Sequence, residues 1–173
     1  MSNILLIRQF LLFFAYWLVQ VILARHLSLF SVAFCFLYVG YLLQMPLQTD
    51  RSLLLLIAFL MGLMVDMVYD TMGLHAFCMV LIAFLRPVVV AFLASGEDMY
   101  EISVREMGLG WYLRYMVVLV SIHHFALFFL EQFNTHFWLN SLSKVFFSTI
   151  FTIFTILLVQ YLFYAPILGN ARK

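Results

Sequence analysis

Residues 62–77 read Gly62-Leu-Met-Val-Asp66-Met-Val-Tyr69-Asp70-Thr71-Met-Gly73-Leu-His-Ala-Phe77. This run decides the fold, because it sets two carboxylates inside otherwise apolar sequence. An ionisable side chain at membrane depth needs a partner, a water-filled cleft or a neighbouring helix. Read as helix, Gly62, Asp66, Asp70 and Gly73 fall on one stripe about 80° wide. Small residues on such a stripe let a second backbone come close. The stripe therefore marks a buried helix contact or a site, and cannot point at lipid.

The flanking sequence sets the solvent. Of the 173 residues, 66% are hydrophobic and only 10% charged, with a net charge of +1. Mean hydropathy is +1.09, far from the range of soluble domains. The composition predicts an all-α integral membrane protein whose single transmembrane domain covers residues 1–173. At about 20 residues per crossing, six helices are expected in one bundle, at 4–24, 28–45, 52–69, 74–94, 112–130 and 141–165. No basic residue precedes Ile4 and no small-x-small site precedes Arg25, so the first run is expected to stay as a helix. The turns are short, which makes sequential helices antiparallel neighbours.

Basic residues orient the bundle. One side collects Arg8, Arg51, Arg105, Arg114, Arg172 and Lys173, and the other Arg25 and Lys144, which puts both termini in the cytoplasm. The Asp70–Gly73 turn then faces the opposite side, with Asp66 roughly 6 Å deeper. Arg86, beside Pro87, lies roughly 14 Å too far along its helix to meet Asp66. It is expected to snorkel to the cytoplasmic interface or to meet a loop acid such as Glu97. Between them, residues 96–110 carry Tyr100, Val104 and Met107 on one stripe and Asp98, Glu101 and Arg105 on the other. That pattern predicts a short amphipathic helix in the cytoplasmic interface.

No catalytic set, cofactor site or metal site emerges. His123 and His124 are adjacent, so on a helix they point about 100° apart and cannot ligate one metal from one face; core histidines with satisfied nitrogens are expected. Ser148, Thr152 and Thr155 form a polar stripe suited to close helix packing. Cys35 and Cys78 read as small core residues. The absence of a basic cluster argues against nucleic acid. Two acids without a further intramembrane acid make an incomplete ion path, so packing or partner contact is the stronger reading of Asp66 and Asp70. On that reading Asp66→Asn should be mild and Gly62→Leu costly.

The Gly62–Phe77 run resembles the signature of the bacterial rod-shape-determining MreD family: Gly-Leu-x-x-Asp, an aromatic and Thr next, then a Gly opening the following helix. Length, six spans and the signature's place at spans three and four are similar too, although many members carry a non-acidic residue at the position of Asp70. The resemblance implies a non-enzymatic inner-membrane component of the cell-wall elongation machinery. Such a component binds MreC and helps link MreB filaments to RodA and its penicillin-binding transpeptidase, with membrane lipids around it. From the residues and the resemblance together, partner-binding or structural roles are expected at Gly62, Asp66, Tyr69, Asp70, Gly73, Phe77 and Arg86. The family also resembles the six-helix substrate-binding subunits of energy-coupling-factor vitamin transporters, which supplies the rival reading of a small-molecule binding subunit.

Overall fold

In hydrocarbon the chain must pair its own peptide groups, which favours long helices wherever the sequence is uniformly apolar. The computed structural model describes residues 3–30, 32–93, 107–132 and 138–164. Its elements, in order, are α1 (Asn3–Ile22), a 3-10 turn (Ala24–His26), β1 (Ser28–Leu29), β2 (Ala33–Phe34), α2 (Val39–Leu43), α3 (Arg51–Tyr69), α4 (Leu74–Leu93), α5 (Leu109–Gln132) and α6 (Trp138–Tyr164). Helices α3, α4, α5 and α6 are long and apolar enough to cross a membrane, and α1 contains a shorter apolar helix, Leu6–Ile22. Most of the expected interfacial helix near 96–110 lies outside the described residues, as do Glu97, Arg105, Arg172 and Lys173.

Helix α3 packs against α4, α4 against α5, and α5 against α6, while α1 lies against α3 and α2. The outer faces carry exposed apolar residues such as Phe10, Phe84, Phe92, Phe125, Phe147 and Phe154, as a lipid-facing surface requires. Asp50 starts α3 as its N-cap, accepting from Ser52 N at 2.9 Å and Leu53 N at 3.1 Å. Pro87 lies inside α4, which nevertheless runs on to Leu93.

The second expected span is corrected. Residues 28–45 are not one long helix; they form a two-stranded hairpin, with Ser28 opposite Phe34 and Leu29 opposite Ala33, then a turn, then the five-residue α2. From Cys35 to Leu43 every residue is buried, so the segment threads the middle of the bundle. Non-helical backbone survives at such depth only if other groups satisfy it. Here they do. Phe34 N donates to Ser148 Oγ at 2.9 Å, Phe36 N to Thr152 Oγ1 at 3.1 Å, and Tyr38 N to Gln20 Oε1 at 3.3 Å. The Gln20 amide also donates to Cys35 O at 3.1 Å. Ser148 and Thr152, read from the sequence as helix-packing residues, are thus the acceptors that let the inner strand exist. At Gly40 an added Cβ would stand 3.1 Å from Ile156 and 3.2 Å from Tyr16, which shows how tightly α1 and α6 close around the segment.

Thr152→Val keeps the shape of the side chain but strands the Phe36 amide, and is expected to cost about 1–3 kcal/mol. Thr152→Ser restores the acceptor and should recover most of the loss. Thermal unfolding of the three proteins in one detergent measures the difference, and equal midpoints for Val and Thr at 152 would contradict the bonding scheme.

Candidate functional site

The α3–α4 hairpin is built by the 62–77 run, and three features of that run fit together. Gly62 is buried with no room for a side chain: a Cβ there would lie 2.4 Å from Ala76 Cα and 2.6 Å from both Ala76 N and His75 O. The missing side chain thus lets α3 touch the first turn of α4. One helical turn further on, Asp66 reaches that turn's free amides. Its Oδ1 accepts from His75 N at 3.0 Å and from Thr71 Oγ1 at 2.6 Å, and its Oδ2 accepts from Ala76 N at 2.8 Å. A carboxylate on α3 therefore caps α4, where unpaired N–H groups and the helix dipole both favour negative charge. The reversal between the helices uses left-handed backbone at Asp70 (φ 56°) and Gly73 (φ 86°), a conformation open to Gly and tolerated by Asp.

The expected face of four residues is reduced to two. Gly62 and Asp66 face α4, but Asp70 is the exposed C-cap of α3 and Gly73 sits in the turn. Phe77 is 53% exposed and faces outward from α4. Tyr69 closes the other side of the turn: its hydroxyl accepts from Gln20 Nε2 at 2.8 Å, and its ring meets His75 edge-on at 5.3 Å.

Arg86 departs from the first of its two expected placements, while the second, beside Glu97, falls on a residue outside those described. It does not snorkel to an interface. It is 2% exposed, and its Nε donates to Tyr115 Oη at 2.9 Å while Nη2 donates to Met45 O. Tyr115 Oη in turn donates to Leu43 O at 3.3 Å. The carbonyls at the end of α2 have no helical partners, and Arg86 and Tyr115 supply them from α4 and α5. Asp66 is engaged elsewhere, so no Asp66–Arg86 pair forms.

Sequence reasoning missed a second cluster around Tyr38. The Tyr38 hydroxyl lies 2.8 Å from His75 Nδ1 and 2.8 Å from His123 Nε2, tying α4 to α5 through the inner segment. His124 Nδ1 lies 2.7 Å from Val120 O and its Nε2 3.2 Å from Thr152 Oγ1, so both its nitrogens are engaged. His123 is satisfied on one side only, its Nδ1 being fully enclosed without a partner. Phe36 sits among the three imidazoles, with centroids 5.8, 6.0 and 5.1 Å from His75, His123 and His124. Among the described residues, no three His, Cys, Asp or Glu side chains converge as a metal site would require. Two signals in the sequence point to this cluster: aromatics at 34, 36 and 38, alternating with period two as in a strand, and Gln20, an isolated amide in the first apolar run.

Beside the cluster lies a cavity of about 320 Å³. Ala24, Phe34, Phe36, Phe128 and His75 line it, with Tyr69 and Thr71 from the α3–α4 turn and Glu131 and Lys144 from the facing ends of α5 and α6. No family model, curated protein or solved structure matches the chain.

The capping geometry reverses one expectation. An amide at 66 must turn its NH₂ toward an N–H that now donates to a carboxylate oxygen, so Asp66→Asn is expected to cost about 1–3 kcal/mol instead of being mild. Gly62→Ala should lose a similar amount through overpacking, whereas Asp70→Asn should stay within about 0.5 kcal/mol. Thermal or denaturant unfolding of the purified variants orders them; an Asp66→Asn protein as stable as the parent would contradict the cap.

Proposed function

We propose that this chain is a non-enzymatic scaffold in the bacterial inner membrane, a component of the MreD type in the cell-wall elongation machinery. In that role it binds MreC and helps couple MreB filaments to peptidoglycan synthesis by RodA and its penicillin-binding transpeptidase. The observation that supports this reading most is the use made of the signature carboxylate. Both oxygens of Asp66 are occupied by Thr71 and by the amides of His75 and Ala76. A carboxylate so engaged shapes a hairpin and is poorly suited to carrying a proton or a cation through the membrane. The residues that carry the resemblance to MreD are thus the ones that fix the α3–α4 turn, which presents exposed Asp70 and Met72 at one end of the bundle. The bias of basic residues, six to two, supports cytoplasmic termini and an external position for that turn.

One observation favours a second reading, the substrate-binding subunit of a transporter of the energy-coupling-factor type. The cavity described above opens at the end of the bundle that carries the same turn, and its size suits a small molecule.

Extraction in mild detergent followed by identification of co-purifying proteins separates the two. The scaffold reading predicts an MreC-like bitopic protein with RodA and its transpeptidase. Recovery of an ATPase pair with a membrane coupling subunit, and no shape proteins, would overturn it in favour of the second.

A further inference from the structure

The cavity at the α3–α4 turn has walls of one kind and polar groups of another. Phe34, Phe36 and Phe128 form its apolar side, with ring centroids 5.9 Å apart for Phe34–Phe128 and for Phe36–Phe128. Rings spaced in this way accept another flat ring edge-on or offset. Over two of them lies the Lys144 ammonium, 5.8 Å from the centroid of Phe34 and 5.8 Å from that of Phe128. Among the described residues it makes no ion pair, and the rings are its only polar-sensitive contacts.

Hydrogen-bond balance sets the polarity of the floor. The Tyr38 hydroxyl has one proton and two imidazole neighbours, so it donates to one and accepts from the other. Were it to donate to His123 Nε2, the enclosed Nδ1 of His123 would carry an N–H with no acceptor. Buried orphan N–H groups are rarer than under-used acceptors. The balance therefore favours His123 protonated on Nε2, with Tyr38 donating to His75 Nδ1. His75 is then left with its proton on Nε2. That nitrogen has no partner among the described residues and is not among the enclosed unsatisfied atoms, and His75 lines the cavity. The Thr71 hydroxyl proton is already committed to Asp66. Among the described lining residues the cavity thus offers the His75 imidazole and the Lys144 ammonium as donors, with the Tyr69 hydroxyl beside them at the turn. Glu131, the one carboxylate among the described lining residues, is exposed at the rim, where it disfavours a second negative charge.

We propose that this cavity is a binding site for a small planar aromatic compound carrying a single anionic group, its ring held among Phe34, Phe36 and Phe128 and its anion meeting Lys144. The site stands on the cavity alone and holds under either reading of the chain's wider role.

Three indole probes of equal ring and different charge test it: indole-3-acetate, indole and tryptamine, dialysed against the full chain in nanodiscs, with empty nanodiscs as control. Saturable one-to-one binding of indole-3-acetate is expected, with tryptamine weaker by about tenfold or more, the scale of one charge-assisted contact. Lys144→Met, at a half-buried position on α6, should bring indole-3-acetate down to the level of neutral indole while leaving the unfolding temperature unchanged, and Lys144→Arg should restore much of the preference. Binding no greater than to empty nanodiscs, tryptamine binding as tightly as the acetate, or full affinity in Lys144→Met would each overturn the proposal. None of these outcomes bears on which proteins co-purify with the chain, so failure here and failure of the scaffold reading are told apart.

Discussion

Peptide groups away from water must find partners inside the protein, and among the described residues three breaks in the helical ladder are repaired by side chains from other helices. The start of α4 is capped by Asp66 of α3. The strand entering the core is held by Ser148 and Thr152 of α6 and by Gln20 of α1. The end of α2 is closed by Arg86 of α4 and Tyr115 of α5. An unsatisfied buried amide or carbonyl costs about 1–3 kcal/mol, so each repair matters on the scale of a domain's whole stability. Together they fix how the helices sit, because every repair crosses from one element to another.

The same constraint accounts for where polar chemistry collects. An inner segment that was helical throughout would need no acceptors, and Gln20, Ser148 and Thr152 would have no task in the core. Because it is extended at Ala33 and Phe34, it brings Phe34, Phe36 and Tyr38 into the centre and gathers His75, His123 and His124 about them. The cavity forms beside that gathering, under the turn that Gly62 and Asp66 hold in place. Structural polar groups and candidate ligand groups are therefore neighbours, and they meet in His75, whose Nδ1 is tied to Tyr38 while the residue also lines the cavity; Asp66 is consumed by capping, while Lys144 is not.

Much of this was legible in the sequence, and the parts that were not share a cause. Five of the expected helices correspond to α1, α3, α4, α5 and α6 to within a few residues, since long apolar runs have no other stable form in a membrane. The hairpin at Gly62 and Asp66 followed from the spacing of a small residue and an acid. The second span did not, because its strand depends on acceptors more than a hundred residues away, at |i−j| of 114 and 116. Hydropathy registers only that the segment is apolar, although its alternating aromatics carried the strand period. The burial of Arg86 was hidden for a related reason: the Met45 carbonyl it serves is left without a helical partner because α2 stops at Leu43.

The most direct measurement is of the backbone of the inner segment itself. Carbon-13 chemical shifts of the labelled protein in lipid, by solid-state NMR, report the local conformation residue by residue. Strand-type shifts at Ala33 and Phe34, a non-helical Cys35 and Phe36, and helical shifts from Val39 to Leu43 are the result that the structure predicts. Helical shifts running without interruption from Ser28 to Met45 would contradict it, and with it the role given to Ser148, Thr152 and Gln20.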